Sequence, residues 1–121
     1  AEVSPADLTN WLASEQAVLV DVRREEEREI SWIPGSITRK EFESGDFSGR
    51  KVVAYCTIGY RSGKYAEHLR KQGVDAYNLE AGILGWVHDF RPVERDGFET
   101  REVHVYGRQW SLVPSWYLAM W

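Results

Sequence analysis

The chain is short of several things, and each shortage excludes something. Of its 121 residues one is cysteine, so no intrachain disulfide can form and the fold cannot rely on an oxidising compartment. Cationic excess is missing too: 15 Lys and Arg face 19 Asp and Glu, a net charge of −4. No basic stripe runs along the chain, and the aromatic residues are not interleaved with Lys and Arg, so nucleic acid is not an expected partner. An anionic substrate would have to be drawn by a local device rather than by the field of the whole molecule. The three histidines, His68, His88 and His104, lack metal-ligand spacing and are expected on the surface or on helices, with no metal site. The longest apolar run, around Trp116 to Trp121, is far too short to span a bilayer, so no membrane span is expected. No basic–apolar–small leader pattern is visible, and there are no internal repeats or low-complexity tracts. What remains is one globular domain, expected in the cytoplasm.

What is present alternates. "SPADLTNWLAS" reads as a helix capped by Ser4, with Pro5 in its first turn and Leu8, Trp11 and Leu12 on one face. "AVLVDV" and "KVVAY" are short apolar runs, as expected of strands buried on both faces. Between them lies the charged run "RREEERE", read as a solvated helical turn. "WIPGSI" is a turn into a short strand at Ser36 to Thr38, and "KEFESGDFSGR" a short helix with a loop. A helix is predicted from Ser62 to Gln72, buried along Tyr65, Ala66 and Leu69 and stopped at Gly73. "VDAYNL" follows as a strand and "AGILGWVHDF" as a short helix. Strands alternating with helices imply an α/β fold with a parallel sheet covered on both faces. After about Pro92 the pattern changes: "ETREVHVYG" alternates like an edge strand, and an aromatic-rich end follows. The expected division is a domain over 1–95 and a C-terminal extension over 96–121. That extension, with Trp110, Trp116, Tyr117 and Trp121, either folds back over the domain, the preferred reading, or forms an interface for a homodimer or protein partner.

Chemistry concentrates in "VVAYCTIGYRSGKY". Ligands of open α/β sheets bind beyond the carboxyl ends of the strands, and Cys56 stands at such an end. Thr57, Ile58, Gly59, Tyr60 and Arg61 then bridge to the next helix. A short loop of this kind can turn successive N–H groups inward as an anion-binding nest, Gly59 suits a positive φ, and a helix N-terminus adds partial positive charge. A thiolate favoured by that cradle is a nucleophile for covalent catalysis, whereas a free cysteine elsewhere is commonly buried and inert. The cradle suits phosphoryl or sulfur transfer. Cysteine phosphatases place five residues between Cys and Arg; here four intervene, and the tighter ring fits one extra sulfur better than a phosphate.

These residues resemble the active-site loop of the rhodanese family of sulfurtransferases. "LVDVRREEE" is similar to the family's Asp-x-Arg followed by Glu, here Asp21, Arg23 and Glu27; "WIPGSI" resembles its His-Ile-Pro-Gly-Ala element, and "LEAGILGW" its Gly-Gly-x-x-x-Trp element. The resemblance covers about residues 4 to 95. It implies a central five-stranded parallel sheet with helices on both faces. It also implies a cysteine that cycles between thiol and persulfide, and no metal or organic cofactor. Cys56 would be nucleophile and persulfide carrier, and the backbone N–H groups from Thr57 to Arg61 would stabilise its charged forms. The partners so implied are a small sulfur-containing anion such as thiosulfate, or a persulfide, as donor, and a thiol or cyanide as acceptor. The chain departs from the pattern at Thr57, where members active on thiosulfate often carry a basic residue, and at Trp32, Arg28 and Ala81.

Two rivals remain: a phosphatase or arsenate reductase using the same cradle, disfavoured by loop length and by the absence of a second cysteine, and a non-catalytic module that uses the fold to bind a partner or carry sulfur without turnover. Arg23 is expected to pair with Glu27, tying strand to turn. Arg61 either contacts a donor anion or braces the loop through backbone carbonyls. Ile58 and Tyr60 are expected at the pocket rim, and Trp86 in the core.

Overall fold

The computed structural model describes residues 1–105 and 111–121. Its strands and helices alternate: β1 (Glu2–Val3), α1 (Pro5–Ala13), β2 (Ala17–Asp21), α2 (Glu25–Ile30), β3 (Ile37–Thr38), α3 (Arg39–Ser44), β4 (Lys51–Tyr55), α4 (Tyr60–Lys71), β5 (Ala76–Leu79) and α5 (Gly82–His88). Strands β1 to β5 form one parallel sheet in the order β1-β5-β4-β2-β3. All five residues of β2 are buried. That is the behaviour of a strand covered on both faces, and it explains why the run lacks polar alternation.

Successive side chains of β2 and β4 feed opposite layers. Leu19, Val53 and Tyr55 point to the layer of α1 and α5, with Leu8, Ile83, Trp86 and Val87. Val18, Val20, Val52 and Ala54 point to the other, with Tyr65, Ala66 and Leu69 of α4 and, partly buried, Phe42 and Phe47. Helix α1 starts where its cap was read: the Ser4 side chain accepts from Asp7 N at 3.1 Å. Among the described residues no helix is long and apolar enough to cross a membrane.

Three elements differ from expectation. β1 carries no sequence signal, being two residues long, and enters the sheet through parallel pairing with β5. α4 begins at Tyr60, two residues before the predicted start, because Gly59 at φ 108 already serves as its N-cap. "ETREVHVYG" is not one edge strand. It divides at Arg101 into β7 (Phe98–Thr100), which forms an antiparallel hairpin with β6 (Val93–Arg95), and β8 (Glu102–His104), which runs parallel to β9 (Leu118–Met120). The expected boundary at 95 therefore falls inside a hairpin. Val103, Val105 and Tyr117 are buried in the α1/α5 layer, while Trp116 and Trp121 are 53% and 61% exposed. Trp110 lies outside the described residues.

Candidate active site

The site is built by the turn between β4 and α4. Cys56 follows the last residue of β4, and the chain curls so that two backbone amides face its sulfur: Gly59 N at 3.2 Å and Ser62 N at 3.5 Å. The positive φ of Gly59 makes the curl possible. The residue after the cap begins a twelve-residue helix, whose free N–H groups and partial positive charge point back at the sulfur. Ser62 Oγ stands 3.3 Å from the same sulfur and 2.6 Å from Asn78 Oδ1. Cys56 is 1% exposed. The amides are turned toward the sulfur, which is covered from solvent.

A second helix fixes the loop from behind. Ile83 N and Leu84 N of α5 donate to the carbonyls of Cys56 and Thr57 at 2.9 and 3.1 Å. This close approach requires Gly82, at φ +59: a Cβ there would lie 2.5 Å from both of those carbonyl oxygens. Asn78, at the carboxyl end of β5, completes the frame. Its Nδ2 donates to Gly59 O at 3.0 Å and to Glu2 Oε2 at 3.2 Å.

The charged run that leads into α2 and makes up most of it is solvated only in part. Arg24, Glu25 and Glu26 are exposed, but Glu27 and Arg23 are buried. The Glu27 carboxylate accepts from Arg61 Nη1 and Nη2 at 2.8 and 3.0 Å, and from Thr57 Oγ1 at 3.3 Å. Arg61 also donates to Thr57 Oγ1 at 3.0 Å. Burial would raise the Glu27 carboxyl, but the hydrogen bonds and charge of Arg61 outweigh it and hold the group below the usual carboxylate range. Arg61 thus braces the loop through a side-chain pair with Glu27.

Arg23 does not pair with Glu27, contrary to expectation. It forms a two-pronged pair with Asp21, at 2.9 and 2.8 Å, and donates to Ser31 O at 2.7 Å. Asp21 is two residues away on the same strand end and already buried, so the pair closes with no chain excursion. Tyr55 OH and Arg28 Nη1 add further donors to Asp21, at 2.8 and 3.0 Å. Burial raises Asp21, and Arg23 more than reverses it, so this carboxyl too is held low; burial and the Asp21 charge push the Tyr55 phenol up. The Glu27–Arg61 pair ties α2 to the cysteine loop, and the Asp21–Arg23 pair ties the end of β2 to the residue after α2.

Of the residues singled out in the sequence, Cys56, Thr57, Gly59 and Arg61 meet in one cluster. Ile58 and Tyr60 lie on its outside, 38% and 66% exposed. Ser62, Asn78 and Gly82 were missed, and Glu27 was marked by the resemblance but expected against Arg23 rather than Arg61. Ser62 and Gly82 had only their places at helix starts to mark them. Asn78 was the stronger clue, a lone amide at the end of an otherwise apolar strand. His68 and His88 are exposed on helices and His104 is half-buried on β8. Among the described residues no cluster of His, Cys, Asp and Glu could hold a metal ion.

A family model described as "Rhodanese-like domain" matches residues 4–89. A tRNA uridine(34) hydroxylase of Roseobacter denitrificans is 31% identical over 99 residues, which cover 72% of this chain and 33% of that protein. This chain spans about a third of the length of the curated relatives it matches. Among solved structures, a rhodanese-like domain protein of Staphylococcus aureus superposes with a TM-score of 0.60 at 26% identity, over 79% of this chain and 93% of that one. A thiosulfate sulfurtransferase of Pseudomonas aeruginosa gives 0.69 at 18% identity, over 78% of this chain and 19% of that one, a likeness of fold alone.

Proposed function

The chain belongs to the rhodanese-like domain family, and from that premise we propose that it carries sulfane sulfur on Cys56. The observation that supports this reading best is the pair of amides, Gly59 N and Ser62 N, aimed at one buried cysteine at a strand end. In the first half-reaction the Cys56 sulfur bonds to the outer sulfur of a donor R–S–SH and the donor's S–S bond breaks. R–SH departs with the proton that Cys56 gives up. In the second, an acceptor thiol or cyanide takes the outer sulfur and the cysteine is restored. Backbone donors of this kind stabilise charge developing on sulfur without having to reorganise.

Charge at the loop favours a donor of low charge. Thr57 stands where a cation would assist thiosulfate, and the Arg61 charge is offset by Glu27. A persulfide or polysulfide donor therefore suits the site better than a dianion. The test is intact-protein mass spectrometry after incubation with polysulfide. Expected is a gain of one sulfur atom, removed by cyanide and absent in Cys56→Ser. A folded protein that takes up no sulfur from polysulfide or thiosulfate would overturn the proposal in favour of a binding module.

The relatives favour a second reading, in which this chain serves a reaction at uridine 34 of tRNA, as the name of the Roseobacter protein says of that protein. The net charge of −4 offers the tRNA phosphates little. Nucleoside analysis of tRNA from cells carrying Cys56→Ser decides this reading: unchanged hydroxylation at uridine 34 removes it.

A further inference from the structure

A cavity of about 360 Å³ is lined by Phe90, Pro92, Glu99, Trp116 and Tyr117, none of which belongs to the cysteine loop. Three segments meet there: the chain leaving α5, strand β7, and the residues just before β9. Its walls are three aromatic rings and a proline, with one carboxylate among them. The Tyr117 hydroxyl donates to Arg91 O at 2.8 Å, which leaves no phenolic proton for a ligand. Arg101 is not among the lining residues, and it holds the indole in place. Its Nε donates to Trp116 O at 2.6 Å, and its guanidinium lies 4.4 Å from the Trp116 ring centroid. Two features of the cavity are unfavourable when it stands empty. Phe90 N donates to Val87 O at 2.9 Å, closing α5 with φ 54, a left-handed position that glycine ordinarily fills. The ring gains little burial there, being 71% exposed. Glu99 stands directly opposite Glu94 in the antiparallel β6–β7 pair, where like charges repel. Glu94 accepts from Trp32 Nε1 at 3.0 Å, but among the described residues neither carboxylate has a cationic partner. Burial pushes the Tyr117 phenol up and the Glu99 charge adds to it, so the carboxylate acts across the cavity.

We propose that this cavity binds a free small organic cation of the quaternary-ammonium class, held by Phe90, Trp116 and Tyr117 and balanced by the Glu99 carboxylate. Aromatic faces attract weakly hydrated cations through the ring quadrupole. One carboxylate matches one positive charge. An anion would be repelled by Glu99, and a hard metal ion needs several oxygen ligands where the cavity offers the carboxylate of one residue. The volume is at the small end of ligand pockets, as suits an ion with a few methyl groups. The proposal is independent of the sulfur chemistry at Cys56.

Isothermal titration calorimetry of the full chain with choline chloride, against a sodium chloride blank, should show saturable binding at one site. Neohexyl alcohol, the same shape with carbon in place of nitrogen, should bind at least about tenfold more weakly. Glu99→Gln, checked for folding by circular dichroism, should weaken choline binding by about tenfold as well. Phe90→Gly tests the cavity without threatening the fold, because glycine is at ease at that φ. It should melt no lower than the unaltered protein and yet bind choline at least about threefold more weakly. Absence of saturable choline binding, equal affinity for the neutral alcohol, or full affinity in folded Glu99→Gln overturns the proposal. So does cosedimentation with phosphatidylcholine vesicles by a protein indifferent to free choline, which would assign the face to a lipid surface. Sulfur uptake at Cys56 is read separately by mass and should be the same in Glu99→Gln as in the unaltered protein.

Discussion

Glu27 carries more than a helical surface position ordinarily would. Its carboxylate is fully buried, while Arg61 remains 30% exposed. Removing one partner of a fully buried pair costs about 3–5 kcal/mol; with one partner partly in water, Glu27→Gln should cost about 2 kcal/mol, read from urea unfolding. The same substitution releases the Arg61 charge toward the loop, so sulfur uptake from thiosulfate should rise relative to uptake from polysulfide. Equal slowing with both donors would show that Glu27 is purely structural. The resemblance marked this residue, but "RREEERE" did not show its partner: only the three-dimensional position of Arg61, 34 residues on, pairs it with the loop. The cysteine loop itself was legible, because the strand end, Gly59 and Arg61 are local to one another.

Helix α5 sets the back wall of the site through two amides and one glycine. Gly82→Ala would force a Cβ to 2.5 Å from the carbonyl oxygens of Cys56 and Thr57, at a φ of +59 that disfavours any side chain. The backbone must shift, and a loss of at least about 3 kcal/mol is expected, accompanied by loss of the one-sulfur adduct in whatever fraction still folds. Near-normal stability with normal sulfur uptake would show that α5 is free to move back. Elements with local signals were readable: α1 from Ser4 and Pro5, and the buried face of α4 from its apolar spacing. Elements defined by distant partners were not. β1 exists because β5 offers it an edge, and "ETREVHVYG" breaks in two because its halves pair with different strands, β6 before and β9 after.

For the whole molecule, Asp21 and Glu27 link stability to pH in one direction. Burial raises both carboxyls, but Arg23 and Arg61 lower them further, so each titrates below its unfolded value. The unfolded chain therefore takes up protons first as pH falls. The stabilisation is complete above about pH 4.5 and is lost progressively below it, as pH drops through the folded-state values. Tm should fall over that range, and Glu27→Gln should make the fall shallower. An unchanged slope in the variant would mean that Glu27 contributes nothing to it. The alternation of strands and helices was enough to read the parallel sheet, while the order of its strands was not, since that depends on crossovers no local pattern records. One last consequence follows from the seclusion of Cys56, at 1% exposure. A disulfide needs its sulfurs about 2.05 Å apart, and with Cys56 this covered in each copy, aerial oxidation should stitch neighbouring molecules into covalent pairs only slowly.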